Sequence, residues 1–197
     1  MSHTVTMGWD ILDWMEQAVA KVRDRLLRAT AALNAAGVPY AVVGGHAVAS
    51  WVATIDAGAV RNTRDVDLLV RREDLPAVTT ALTAAGFTPA DVLDVPVFLD
   101  GPEAKPSESI HLLFSAERTR PDHPLPAPDL TTVDDPAGFR VITLESLVVM
   151  KLMSNRRKDQ VHIEDMIGVG LIDASWVSRL PPVLAERLQQ ILDTPGG

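Results

Sequence analysis

Two segments of this sequence say most about its structure: Val42-Val43-Gly44-Gly45-His46-Ala47 and Arg61-Asn62-Thr63-Arg64-Asp65-Val66-Asp67-Leu68-Leu69-Val70. The first predicts a short apolar strand that runs through two glycines into a helix. The second predicts a strand on which Asp65 and Asp67 share one face, because side chains alternate along a strand. Two neighbouring carboxylates repel unless a cation lies between them, and a hard divalent ion such as Mg²⁺ meets that need. The glycines permit close backbone approach at a helix N-terminus, which suits a phosphate. Together the two segments predict a site for a metal–nucleotide complex.

The order of these motifs resembles the nucleotidyltransferase fold of the DNA polymerase β superfamily. Within that superfamily, Arg-x-Thr-x-Asp-x-Asp-Leu-Leu at residues 61–69 resembles the bacterial group that includes AbiEii-type toxin nucleotidyltransferases. The resemblance covers roughly residues 22–168. It implies an α+β fold, with a mixed sheet flanked by helices and a helical C-terminal part. We therefore expect an N-terminal helical segment at residues 1–36, a nucleotidyltransferase core at 37–143, and a helical part of the same domain at 144–197.

The resemblance also implies roles for particular residues. Asp65 and Asp67 would be catalytic and would hold Mg²⁺, with Mn²⁺ as an alternative, and the substrate would be a nucleoside triphosphate. Surface carboxylates paired with nearby arginines are the competing interpretation. The expected nucleotide-binding residues are Gly44, Gly45, His46, Thr63, Arg64, Lys151 and Lys158. For the glycines the alternative is a plain strand-to-helix turn, and for Arg64 and Lys158 it is a solvated surface charge.

Histidine occupies a position where the superfamily usually has a third carboxylate. The strand predicted at Ser109–Phe114 carries His111, which would be the third catalytic residue. Three interpretations remain open: a general base, a nitrogen ligand that favours Mn²⁺ or another transition metal, or the loss of the catalytic role. Glu108 or Asp100 could also supply the missing carboxylate.

The remaining pattern predicts the secondary structure around these motifs. We expect helices at residues 11–36, 46–53, 73–85, 144–153, 158–168, 176–180 and 182–192, and strands at 40–43, 66–70, 92–99, 109–114 and 139–142. A Gly- and Pro-rich turn is expected at residues 100–107, and an irregular proline-rich loop at 118–138.

Composition limits the kinds of function that the chain can have. It has 197 residues, no cysteine and a net charge of −8, so disulfides, thiolate metal sites and cysteine nucleophiles are excluded. An acidic chain is a poor general nucleic-acid binder, yet basic residues gather near the predicted site, which favours a small anionic substrate or one RNA end.

The same sequence leads to expectations about location and partners. No signal-peptide pattern or long apolar run is present, so we expect a cytoplasmic protein without a membrane partner. The acceptor could be RNA, a protein or a small hydroxylated compound, and a cognate antitoxin and oligomer formation are further possibilities. The alternative function is a catalytically degenerate module of the same fold that binds a nucleotide or a partner.

Overall fold

Seven strands form one mixed sheet, with helices packed around it. The computed structural model describes residues 9–92, 95–101, 104 and 109–194. The strands are β1 (Ala41–Val43), β2 (Val66–Val70), β3 (Thr88–Val92), β4 (Val95–Leu99), β5 (Ser109–Phe114), β6 (Thr132–Asp134) and β7 (Arg140–Ile142). The helices are α1 (Trp9–Ala35), α2 (Gly44–Ala53), α3 (Leu75–Ala84), α4 (Leu144–Ser154), α5 (Arg157–Gly168) and α6 (Pro182–Asp193). Short 3₁₀ helices occur at Ala57–Ala59, Arg72–Asp74 and Ala174–Arg179.

The order of the strands brings distant parts of the sequence side by side. The sheet runs β3-β4-β5-β2-β1-β7-β6. Strand β2 pairs antiparallel with β1 and parallel with β5, so Asp67 lies opposite Val43 on one side and His111 on the other. The α+β fold with a mixed sheet and a helical C-terminal part, which the sequence predicted, is confirmed.

The central strands form the core because their side chains are apolar on both faces of the sheet. All three residues of β1 are buried, and in β2 only Asp67 is even partly exposed. The C-terminal half of α1 covers the core with Leu26, Ala29 and Leu33, which are at most 4% exposed. Burying a large aliphatic side chain contributes roughly 1.5–3 kcal/mol. This packing makes β2 a rigid base for the carboxylates.

Two of the predicted strands have the same bounds in the structure, and two observed strands were not predicted. Strands β2 and β5 match their predictions. Strand β6 lies within the loop expected at 118–138, and β3 precedes the single strand expected at 92–99. Both lie at the edges of the sheet and are mostly exposed, so neither has the alternating apolar pattern that reveals a strand. Most of the turn predicted at 100–107 lies outside the described residues.

None of the described helices is both long enough and apolar enough to cross a membrane.

Candidate active site

The junction between β1 and α2 contacts the carboxylate of Asp67 directly. Gly44 has a φ of +67°, a conformation that side chains with a Cβ rarely adopt. A Cβ built on Gly44 would lie 2.1 Å from Oδ2 of Asp67, far inside van der Waals contact. Glycine is therefore required at position 44 for two reasons: the backbone has a positive φ, and the Asp67 carboxylate leaves no room for a Cβ.

The second glycine makes a similar close contact with Thr63. A Cβ on Gly45 would lie 2.6 Å from Oγ1 of Thr63. Thr63 precedes β2 and lies outside the strand. The two glycines thus allow the start of α2 to pack against the segment that carries both aspartates.

The parallel pairing of β2 and β5 places His111 beside Asp67. Nδ1 of His111 lies 3.3 Å from Oδ1 of Asp67, and Nε2 lies 3.2 Å from Oγ of the buried Ser109. A carboxylate only accepts hydrogen bonds, so Nδ1 of His111 carries the proton in this contact. Burial raises the pKa of Asp67, but the His111 hydrogen bond and the charges of His111, Lys151 and Lys158 outweigh it and lower the pKa below its usual value. Asp67 is therefore ionised at neutral pH.

A buried network of hydrogen bonds holds the side chain of Lys151 in position. Nζ of Lys151 donates to Oδ1 of Asp159 over 3.1 Å, and Nε of Arg156 donates to Oδ2 over 2.8 Å. The Asp159 side chain is 1% exposed and that of Lys151 is 7% exposed. Burial raises the pKa of Asp159, but the Arg156 hydrogen bond and the Lys151 charge outweigh it and lower the pKa to about 2. Asp159 is therefore a buried anchor for Lys151.

Two further residues of α5 face the same space. Nζ of Lys158 lies 3.9 Å from Oδ2 of Asp65, so this lysine is the cation that approaches the first aspartate. Burial first and the Lys151 charge second lower the pKa of His162 to about 4, so its ring is neutral at pH 7. The helix thus presents one cation and one neutral imidazole to the aspartates.

These groups line one cavity of about 690 Å³, a size that suits a small-molecule or cofactor site. Nine of the ten predicted site residues line it: Gly44, Gly45, Thr63, Arg64, Asp65, Asp67, His111, Lys151 and Lys158. His46 does not. Burial lowers the pKa of its imidazole, and Nε2 is buried without a hydrogen-bond partner among the described residues. A phosphate contact by His46 is not supported by this position.

Asp100, one of the two possible substitutes for a third carboxylate, does not take that place. Asp100 pairs with Arg25 over 3.1 Å and also with Arg28, and it does not line the cavity. The carboxylate of Asp100 points to α1 instead, because both arginines extend from that helix. Glu108 lies outside the described residues.

The cavity has a second wall that the sequence did not reveal. It is formed by the segment after β5 and includes Glu117, Arg118, Arg120 and His123, together with Arg72 from the start of the 3₁₀ helix before α3. The only signal in the sequence is the spacing Arg118-x-Arg120 inside a proline-rich loop. Nothing local predicts that this loop folds back over the site.

The donor set indicates which metal the cavity could accept. Among the described residues, no group of three His, Asp or Glu side chains could hold a metal ion by itself. Asp65 and Asp67 line the cavity as a pair of carboxylates, and Mg²⁺ is commonly held by one or two carboxylates together with substrate phosphates and water. The residues therefore fit a metal that binds with a nucleotide better than a metal held by protein ligands alone.

Known structures share this fold. The solution structure of the antibiotic-resistance factor ANT(2'')-Ia is 13% identical in sequence, with a TM-score of 0.50, and the alignment covers 90% of this chain and 92% of that one. The crystal structure of JHP933 from Helicobacter pylori is 15% identical, with a TM-score of 0.51, and the alignment covers 90% of this chain and 75% of that one. At these identities the likeness shows the fold alone.

The sequence itself identifies the family. No curated protein shows a significant match to the chain. Residues 10–134 match the model of a family described as "Uncharacterised nucleotidyltransferase". This match covers more than half of the chain and includes both glycines, both aspartates and His111. The chain therefore belongs to this family of nucleotidyltransferases.

Proposed function

We propose that this protein transfers a nucleoside monophosphate from a nucleoside triphosphate to an acceptor, with Mg²⁺ or Mn²⁺ as cofactor. The observation that supports the proposal is the close approach of Gly44 to Asp67, which brings a glycine turn at a helix N-terminus and a carboxylate together inside one cavity. Family membership supports the reaction class. A bound divalent ion would be held by Asp65 and Asp67 and would neutralise charge on the phosphates during transfer.

The start of α2 is suited to the triphosphate. Val43 is the N-cap residue and its side chain makes no capping hydrogen bond, so the first N–H groups of the helix have no side-chain acceptor there. Such groups bind phosphate oxygens, and the helix dipole favours a negative charge at this end. Gly44 and Gly45 leave the backbone accessible because neither carries a side chain over it.

Cationic side chains that line the cavity supply positive charge. Lys158 lies close to Asp65, and Arg64 lines the same cavity, so both can contact phosphate oxygens. Lys151 is held in position by Asp159 and adds a fixed charge that also acts on Asp67. These cations would orient the triphosphate so that its α-phosphorus faces the acceptor.

We further propose that His111 positions Asp67 by donating a hydrogen bond from Nδ1. A His111→Asn variant tests this role because the asparagine amide occupies nearly the place of Nδ1–H and can donate to Asp67, but it cannot act as a base. We expect His111→Asn to retain most of the transfer activity that His111→Ala loses. Equal loss in both variants would refute positioning and favour a base or a metal ligand.

The principal experiment follows an α-phosphate label. Each of the four nucleoside triphosphates would be incubated with the protein, Mg²⁺ or Mn²⁺, and a cell extract as acceptor pool. Transfer of label by the wild type, lost in Asp65→Ala and Asp67→Ala, is the expected result. The matched control is Asp129→Ala, which removes an exposed carboxylate that does not line the cavity. Equal labelling by wild type and Asp67→Ala, or none by the wild type with either ion, would overturn the proposal.

A second candidate function is a nucleotide-binding module without turnover. It is favoured by histidine at position 111 and by the lack of a three-ligand group among the described residues. A rise in melting temperature with nucleoside triphosphate, without label transfer in either metal, would support it. Product formation that depends on Asp67 would exclude it.

The acceptor class distinguishes two biological roles that we propose for test. The fold shared with an antibiotic-resistance factor suggests a small hydroxylated acceptor. The resemblance of residues 61–69 to AbiEii-type toxins suggests an RNA or protein acceptor and a cognate antitoxin. Growth arrest on expression of wild type, but not of Asp67→Ala, would support the toxin role, and unimpaired growth would count against it.

A further inference from the structure

The wall formed after β5 differs in charge from the protein as a whole. The chain has a net charge of −8, yet Arg118 and Arg120 both line the cavity. Both are exposed, and neither forms an ion pair with another described residue. Two arginines without an ion-pair partner among the described residues therefore line the cavity that Asp65 and Asp67 also line.

The other carboxylates of the cavity are already neutralised within the protein. Glu117 accepts two hydrogen bonds of 2.6 Å from Arg72, whose guanidinium lies 3.8 Å from the centre of the Phe114 ring. Asp159 is paired with Lys151 and Arg156. Apart from the proposed metal pair, no described carboxylate that lines the cavity is left to bind a cationic substrate.

A buried imidazole lies at the base of this wall. His123 is 8% exposed, and neither ring nitrogen has a hydrogen-bond partner among the described residues. Its backbone N–H donates to the carbonyl of Arg120 over 3.2 Å, which ties it to the arginine segment. Burial lowers the pKa of His123, so the ring is neutral at pH 7. An unpartnered buried polar group costs stability, and such groups in folded proteins usually have a partner.

We propose that Arg118, Arg120 and His123, here called the acceptor wall, bind an acceptor that carries a phosphate close to its reactive hydroxyl. The inference rests on the proposed function and adds the acceptor class. Arginine recognises phosphate through paired, charge-assisted hydrogen bonds, and the neutral His123 provides a donor and an acceptor for the hydroxyl-bearing part. A polycationic acceptor would meet two arginines and no free carboxylate, so the wall selects against it.

The transfer step is balanced without a further reactant. The acceptor hydroxyl oxygen forms a bond to the α-phosphorus of the nucleoside triphosphate. The bond between that phosphorus and its bridging oxygen to the β-phosphate breaks, and pyrophosphate leaves. The hydroxyl proton passes to water. The acceptor wall contributes by holding the acceptor phosphate, which fixes the hydroxyl in place.

The first test compares acceptors that differ only in the phosphate. Glycerol 3-phosphate would be compared with glycerol, adenosine 5'-monophosphate with adenosine, and a 5'-phosphorylated RNA trinucleotide with its unphosphorylated form; a polycationic aminoglycoside is the opposite case. We expect transfer to the phosphorylated member of at least one pair, and the preferred pair identifies a small metabolite or an RNA end as the source. Equal use of both members of the pairs, or preference for the aminoglycoside, would overturn the inference while leaving the proposed function intact.

Variants then connect this preference to the wall. Arg118→Ala and Arg120→Ala should each raise the KM for the phosphorylated acceptor about tenfold, the usual effect of losing one charged hydrogen bond, with little change in the KM for nucleoside triphosphate. Arg→Lys variants should recover part of the loss because they keep the charge. Arg23→Ala, an exposed arginine outside the cavity, is the control and should change neither value. An unchanged acceptor KM in both Ala variants would overturn the inference.

A binding measurement decides the matter even without turnover. Fluorescently labelled 5'-phosphorylated RNA trinucleotide would be titrated against the protein with a non-hydrolysable triphosphate analogue present. His123→Phe should raise the melting temperature, because it removes the unpartnered imidazole, yet weaken trinucleotide binding severalfold. Failure of label transfer together with wall-dependent binding would reject the proposed reaction and keep the acceptor wall. The acceptor wall would be rejected if calorimetric titration showed no binding of any of the three phosphorylated acceptors of the first test, or if binding were equal in wild type and wall variants.

Discussion

Replacing Gly44 by alanine tests the link between the Gly44-Gly45 turn, which we propose binds phosphate, and Asp67, which we propose binds the metal. The new Cβ would lie 2.1 Å from Oδ2 of Asp67, whereas ordinary contact begins at 3.4 Å. Asp67 must therefore move by more than about 1 Å, and a displacement of that size at a reacting centre costs roughly 100-fold in rate. Alanine at a φ of +67° adds a backbone cost of about 1–2 kcal/mol to the loss of unfolding free energy.

Gly37 offers a matched control for the backbone part of this effect. Its φ is +65°, nearly the same as that of Gly44, but a Cβ there would meet nothing within 4 Å. Gly37→Ala should therefore lower the free energy of unfolding by about 1–2 kcal/mol and leave the active site unchanged. Gly44→Ala should lose more stability and, in addition, nucleotidyl transfer.

The assay measures stability and function on the same preparations. Urea unfolding gives the free energy of unfolding, and transfer of an α-phosphate label gives the rate. The expected result is a rate near wild type for Gly37→Ala and a fall of roughly 100-fold for Gly44→Ala. If Gly44→Ala matched Gly37→Ala in both measurements, Asp67 would not depend on the close approach of the turn, and our reasoning would be refuted.

Three further predictions concern the support of the site. Asp159→Asn should lower the free energy of unfolding in urea by about 3 kcal/mol, because it leaves the buried Lys151 without its charged partner. Adding Lys151→Met should restore much of that loss, and a double variant as unstable as Asp159→Asn would contradict this prediction. The pKa of His162 is about 4 when folded and 6.5 in a model peptide, so the unfolded state takes up a proton first as the pH falls. Stability should therefore drop between pH 6.5 and 4, by at most about 3.5 kcal/mol at about 1.4 kcal/mol for each pKa unit, and His162→Gln should remove this part of the pH dependence. Arg187 donates to the carbonyl groups of Leu152 and Met153 at the end of α4 over 2.7 and 2.8 Å, so Arg187→Met should cost about 1–3 kcal/mol, and an unchanged urea midpoint would show that these bonds contribute nothing.

The centre of the site could be predicted from local patterns. Strand alternation predicted Asp65 and Asp67 on one face; Asp67 lies in β2, Asp65 directly precedes the strand, and both line the cavity. The Gly44-Gly45 pair marked the strand-to-helix junction because its backbone requirements follow from the residues themselves. Strands β2 and β5 were predicted with their observed bounds because their side-chain patterns reflect burial in the middle of a sheet.

The partners of these residues depend on contacts between distant parts of the chain. His111 meets Asp67 only because β2 and β5 pair in parallel with one particular register. The residues around Asp159 do not reveal its partner, because the packing of α5 against α4 is what buries it at 1% exposure beside Lys151. The edge strands β3 and β6 are defined by their pairing with β4 and β7, and their sequences lack the alternating apolar pattern that predicts a strand.

Local chemistry in the sequence thus specifies the glycine turn and the pair of aspartates, since backbone angles and strand alternation act over a few residues. The direction of the His111 hydrogen bond, the burial of the Lys151–Asp159 pair and the position of Arg118, Arg120 and His123 over the cavity follow from the folded chain alone. These features depend on strand register and on loop packing, and both are set by the sum of contacts across the whole domain rather than by neighbouring residues.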